Sequence, residues 1–169
     1  MSTLIKLLFS RFRKGLVTTS VDADNIEVIG QDLKKLISAK LKRSFNIREV
    51  DTGSCGACEA EIIAANNPIY DISQYGISFV ASPRHADALL VTGPVSKNMV
   101  MALKKTYAAM PGPKLVISCG DCALDGGIFK GSYYVAGGVG NILPVDFHIP
   151  GCPPSPKDII RIIYSFLKT

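Results

Sequence analysis

No stretch of the 169-residue sequence approaches the roughly 20 consecutive apolar residues that carry a helix across a bilayer. Its apolar runs are short, such as Leu7-Leu8-Phe9 and Ile159-Ile160. The N-terminus is positively charged and rich in Leu. It lacks an apolar h-region and a small-residue cleavage site, which argues against a signal peptide. Internal repeats and low-complexity segments are also missing. Gly137-Gly138-Val139-Gly140 is too loose a match to serve as a flavin or nucleotide fingerprint. These absences argue against a membrane-spanning helix, a repeat array and a dinucleotide site. They point to the cytosol, where thiols stay reduced.

What is present is a globular composition with an uneven charge. Hydrophobic residues make up 47%. A chain of this length buries about 70% of its unfolded surface, enough to need no disulfide staple. The five cysteines therefore read as metal or redox residues. The net charge is +5. Residues 1–45 hold nine Lys/Arg and four acids, whereas residues 46–169 hold ten of each. The whole excess sits on the N-terminal segment. Nucleic acid is not expected as a partner, because the segment has no recognised binding motif and the neutral body offers no basic surface to extend the contact.

The sequence divides into a basic amphipathic arm over residues 1–45 and a body over residues 46–169. Leu4, Leu7, Leu8, Phe12 and Leu16 lie near helical spacing with Lys6, Arg13 and Lys14 between them. Residues 17–30 read as a loop, and residues 31–42 repeat the pattern through Leu33, Leu36, Ile37 and Leu41. Two readings stand: surface helices packed on their own domain, or an arm that docks on a membrane or membrane subunit. In the body, strands are predicted at 47–50, 77–80, 88–92, 115–118 and 145–149. A helix is predicted over 57–66, a second capped by Ser96, and a last one opened by Ser155-Pro156. Alternating strands and helices predict an α/β domain with a doubly wound, mostly parallel sheet.

Cys55 and Cys58 sit in Gly53-Ser54-Cys55-Gly56-Ala57-Cys58, Cys122 in Gly120-Asp121-Cys122, and Cys152 in Pro150-Gly151-Cys152-Pro153-Pro154. Each loop leaves a predicted strand at its C-terminal end. In an open parallel sheet those ends share one edge, where ligands bind. The surrounding glycines let backbone approach sulfur closely, and the N-terminus of helix 57–66 would face an anionic cluster. Spacing alone leaves alternatives. Two C-x-x-C pairs, Cys55/Cys58 and Cys119/Cys122, match a structural zinc site. A thioredoxin-like dithiol would explain one pair, and simple core packing suits Cys119.

Gly-Ser-Cys55-Gly-Ala-Cys58-Glu59, Pro83-Arg84-His85-Ala-Asp87-Ala-Leu-Leu-Val-Thr92-Gly93-Pro94, Gly-Asp-Cys122-Ala-Leu-Asp-Gly-Gly and Pro-Gly-Cys152-Pro-Pro resemble the small subunit of [NiFe]-hydrogenases. The short form found in membrane-bound, energy-converting hydrogenases is the closest look, and it is related to the proximal-cluster subunit of respiratory complex I. The resemblance runs over about residues 46–167. It implies a flavodoxin-like fold and one proximal [4Fe–4S] cluster held by Cys55, Cys58, Cys122 and Cys152; Cys119 matches no ligand position. Cys55 and Cys58 are separated by two residues, as in hydrogenases, where the complex I relatives carry adjacent cysteines. No cysteines follow Cys152 for further clusters.

The resemblance further implies electron transfer between a ferredoxin-like iron–sulfur subunit and a [NiFe] large subunit, for H2 evolution or uptake coupled to ion pumping. It implies an integral membrane subunit near the arm and a peripheral place on the cytoplasmic face of the membrane. The alternative is the same subunit in a nickel-free complex that reduces quinone or sulfane sulfur. Arg84 and His85 are expected to hydrogen-bond near the cluster, and Glu59 or Glu61 to face the large subunit as a proton-relay group.

Overall fold

The computed structural model describes residues 23–168, with side chains from residue 26 onward. The expected helix over residues 3–16 lies outside the described residues. Five strands build one sheet: β1 (Phe45–Asp51), β2 (Ile77–Phe79), β3 (Ala88–Thr92), β4 (Leu115–Cys119) and β5 (Phe147–Ile149). Their order is β2-β1-β3-β4-β5, and every pairing is parallel. This is the flavodoxin-like order, in which the strand order switches sides between β1 and β3 and opens a crevice at the C-terminal edge.

Helices cover both faces: α1 (Ala23–Leu41), α2 (Ala57–Ala65), α3 (Val100–Ala109), α4 (Asp121–Asp125) and α5 (Pro156–Lys168). All five residues of central strand β3 are buried, as a strand covered on both sides requires. Alternation along the strands divides the core in two. Ile47, Ile77, Ala88, Leu90, Ile117, Cys119 and Ile149 pack with Leu33 and Ile37 of α1, Ile62 of α2, and Ile159, Ile160 and Ile163 of α5. Val50, Leu89, Val91 and Val116 pack with Leu103 of α3 and Ala123 of α4.

The segment 31–42 is the second half of α1, and the loop expected over 17–30 gives way to helix at Ala23. Ile26, Leu33 and Ile37 share one face and join the main core, and α1 packs along α5. Burial of that stripe outweighs the polar composition of the helix's first turn. Lys34, Lys35 and Lys40 face solvent, and Lys40 Nζ donates to Leu167 O at 2.6 Å. Half of the expected arm is thus packed into the body.

Two further local expectations change. Ser96 does not cap α3: it is buried and its N–H donates to Thr52 O at 2.9 Å, while the helix starts at Val100. The last strand is shortened to Phe147–Ile149, because Val116 N donates to the Asp146 carboxylate at 2.7 Å. Ser155 does cap α5, its Oγ accepting from Asp158 N at 3.2 Å.

Candidate metal centre

Three loops meet at the C-terminal edge of the sheet. The first, after β1, is tied by side chains. Asp51 Oδ1 accepts from Gly53 N at 2.8 Å and Ser54 N at 2.7 Å, and Ser54 Oγ accepts from Gly56 N at 3.0 Å. Gly56, at φ 86°, then opens α2 with no side-chain cap, so the helix's first N–H groups keep no side-chain acceptor. The loops after β4 and β5 are stitched together. Gly120 N donates to Ile149 O at 2.8 Å, Asp121 N to Gly151 O at 2.9 Å, and Gly151 N to Asp121 Oδ1 at 2.9 Å.

This bracing brings Cys55, Cys58, Cys122 and Cys152 around one small cavity, together with Ser54, Ala57, Gly93, Asp121, Gly151 and Pro153. Cys58 and Cys122 are buried on the inner side, and Cys55 and Cys152 are exposed at the mouth. The cradle leaves the sulfurs no spare room. A Cβ at Gly120 would lie 2.7 Å from Cys58 Sγ, and one at Gly127 2.8 Å from Cys122 Sγ. Burial and the charge of nearby Cys152 push the Cys122 thiol up, opposed by the backbone N–H of Ile128. Cys58 is drawn down by the neighbouring Cys119 thiol, against burial and the charges of Glu59, Asp121 and Glu61.

Among the described residues no three His, Cys, Asp or Glu side chains are gathered tightly enough to hold a metal ion. A cluster asks for something different. Each thiolate of a Cys₄ set binds its own iron, so the sulfurs stand apart around a hollow. Four soft donors around a glycine-walled cavity fit that demand. The double C-x-x-C zinc arrangement would require Cys119, which has no exposed surface, lies in the core and does not line the cavity.

The remaining expected residues fall in different places. Glu59, in the first turn of α2, has both carboxylate oxygens buried without a hydrogen-bond partner. Glu61 is half-buried on the same helix. Arg84 and His85 are not brought to the cavity. They form an exposed turn, Pro83–His85, that packs against α3 between β2 and β3. Two groups escaped the sequence reading. Glu49 on β1 is half-buried and accepts from Thr92 Oγ1 at 3.3 Å; burial and the charge of Glu59 push its carboxyl up. Period-two alternation was the available signal, since Glu49 follows Phe45 and Ile47 on the core face. On the other face, His148 Nδ1 bonds Ser118 Oγ at 2.9 Å while its buried Nε2 has no partner.

A family model described as the NADH ubiquinone oxidoreductase 20 Kd subunit matches residues 55–166, a span that holds all four cavity cysteines. The chain belongs to this family. The family is an oxidoreductase subunit found in hydrogenase and complex I-like assemblies. Formate hydrogenlyase subunit 7 of Escherichia coli is 46% identical over 73% of this chain and 49% of its own length. The membrane-bound hydrogenase subunit mbhJ of Pyrococcus furiosus is 45% identical over 70% of this chain and 71% of its own. In solved structures, a chain of the archaeal membrane-bound sulfane sulfur reductase superposes with a TM-score of 0.67 and 30% identity. That match covers 79% of this chain and 73% of the other. No described helix is long and apolar enough to cross a membrane.

Proposed function

We propose that this chain is the electron-transfer subunit of a membrane-bound [NiFe]-hydrogenase complex and carries one [4Fe–4S] cluster on Cys55, Cys58, Cys122 and Cys152. The observation that carries the reading is the convergence of these four thiols on one cavity while the fifth cysteine stays in the core. When bound, the cluster supplies a one-electron carrier.

The chain's own residues account for the rest. Cys58 and Cys122 anchor the buried side, where water is excluded, and Cys55 and Cys152 close the exposed side. The backbone N–H of Ile128 favours the charged form of the Cys122 sulfur, opposing burial. The segment after Cys122 exposes large apolar side chains, with Leu124 52%, Ile128 80% and Tyr133 87% accessible, beside the Asp125–Lys130 ion pair. Such a rim suits a docking face for a large subunit that receives electrons across the cluster edge. A ferredoxin-like iron–sulfur subunit supplies or removes them. An integral membrane subunit lies near the basic N-terminal segment, on the cytoplasmic face of the membrane.

The rival is the nickel-free complex, favoured by the likeness to a chain of the sulfane sulfur reductase. The two share this subunit's chemistry and differ in the large subunit, where a nickel site is present or lost. Anaerobic purification of the complex, with an EPR-monitored redox titration and a hydrogen-evolution assay, tests both. A reversible one-electron signal with hydrogen evolution agrees with the proposal. The same signal with no hydrogen chemistry favours the rival, and no signal with zinc bound contradicts both.

A further inference from the structure

The edge of the sheet opposite the cysteines carries a second concavity. The N-terminal ends of parallel strands share one edge, and residues 42–44, 87 and 110–114 lead into β1, β3 and β4 there. With the end of α1 they enclose a cavity of about 360 Å³, a volume in the range of ligand pockets. Leu41, Phe45 and Leu115 give it an apolar wall, and Arg43 and Lys114 stand beside it with a single acid, Asp87. Asp87 is already engaged: it accepts from both terminal nitrogens of Arg43 and from Asn46 N. Asp146, which precedes β5 on the same edge, is held by Val116 N. Cations remain in excess. Lys114 Nζ is fixed next to the cavity by donating to Tyr107 O at 2.6 Å. Lys40 and Lys42 flank the cavity at the end of α1, and both are exposed. Lys42 has φ 55°, at a helix stop where glycine is usual, and its side chain has no partner among the described residues.

The geometry points to this edge as the docking site of an acidic protein segment, one that seats an apolar side chain in the cavity and sets carboxylates against Lys40, Lys42 and Lys114. The mouth offers positive charge and the wall offers apolar surface, so the segment that fits carries Asp or Glu beside a Leu- or Phe-sized anchor. A lipid headgroup layer is flat and would leave the hollow unfilled. The cavity also lies away from the place where the basic N-terminal segment joins the body. The helix α1 ends here at Leu41, so Ala23 stands about 28 Å along its axis toward the cysteine edge. The two cavities share no lining residue, and this inference is independent of the four-thiolate reading. Strand β1 separates the two edges by about 23 Å, so a neighbour bound here holds the assembly together without touching the cysteines.

Carbodiimide cross-linking of the purified native complex tests this, because the reagent joins a carboxylate to a lysine amine only where the two touch. Peptide mapping is expected to find Lys40, Lys42 or Lys114 joined to an Asp or Glu of another subunit. Two variants of the full chain then separate charge from cavity. Lys42→Glu reverses an exposed charge, and Gly112→Phe fills the cavity from a position where an added Cβ meets nothing within 4 Å. Both are expected to keep the parent's unfolding midpoint and iron content. The cross-linked subunit should dissociate about tenfold more readily from each, read by native mass spectrometry on dilution. The Lys42→Glu defect should be largest in low salt, and the Gly112→Phe defect should not depend on salt. Cross-links confined to this chain, or unchanged dissociation in Lys42→Glu, overturn the proposal. Binding of the complex to phosphatidylglycerol vesicles that Lys42→Glu abolishes, with no cross-link to another subunit, assigns the edge to lipid and overturns it as well. Absence of iron from the parent would overturn the four-thiolate reading and leave this inference standing.

Discussion

Gly93 lies so close to Ser54 that a Cβ placed on it would stand 2.6 Å from the Ser54 backbone nitrogen. The contact joins the loop after β3 to the cysteine loop after β1, at the point where the sheet order reverses. Gly93 also has φ +72°, a conformation that costs a residue with a side chain. Gly93→Ala is therefore expected to displace the Cys55/Cys58 loop. Chemical denaturation should show a loss of about 2 kcal/mol or more. Iron content after anaerobic reconstitution should fall with it.

Leu33 tests whether α1 belongs to the body. Its side chain is fully buried in the main core. Leu33→Ala should cost about 2–5 kcal/mol of unfolding free energy, the range for emptying a buried leucine site. A change under about 0.5 kcal/mol in a denaturation midpoint series, the range of surface substitutions, would mean that α1 is only loosely attached.

The N-terminal segment makes a separate prediction. Its first sixteen residues carry four Lys/Arg and no acid among the leucines. Deleting residues 1–16 is expected to leave cluster content and large-subunit binding intact while loosening attachment to the membrane module, most clearly in low salt, where the basic charges act unscreened. Membrane fractionation in low and high salt measures this. A truncated chain that stays membrane-bound but loses its iron would assign the segment to the core instead.

Glu49 sets a pH dependence. Its carboxyl is pushed up by burial and then by the charge of Glu59, with Asp51 adding to the rise and Thr92 and Arg48 opposing it. A raised carboxyl holds its proton in the fold after the unfolded chain has released one. The associated stability is full below the unfolded value of 4.5 and is lost as pH rises through the folded value. Glu49→Gln should therefore stabilise the cluster-free protein at neutral pH, and the gain should vanish below about pH 4.5. Thermal unfolding of both proteins across that range reads the sign directly. A variant less stable than the parent at neutral pH would contradict it.

Much of this arrangement is legible in the residues themselves. Strands buried on both faces appear as short apolar runs such as Ala88–Thr92, and their ends are marked by the glycine and proline turns that hold the cysteines. The C-x-x-C spacing carries no trace of burial: Cys119 ends β4 inside the core, whereas Cys122, beyond the turn at Gly120, lines the cavity. The start of α1 was hidden by Asp22, Asp24, Asn25 and Glu27, which read as loop until packing against α5 is known. Arg84 and His85 follow a strand in sequence, yet the turn they form packs on α3, away from the sulfurs. Position along a chain does not distinguish these cases; only the return path of the backbone does.

The most direct measurement is the iron and acid-labile sulfide content of five single alanine variants, at Cys55, Cys58, Cys119, Cys122 and Cys152, reconstituted anaerobically beside the parent chain. The account predicts a full cluster in the parent and in Cys119→Ala, and its loss or breakdown in each of the other four. Retention in Cys152→Ala together with loss in Cys119→Ala would contradict it and favour the paired C-x-x-C site.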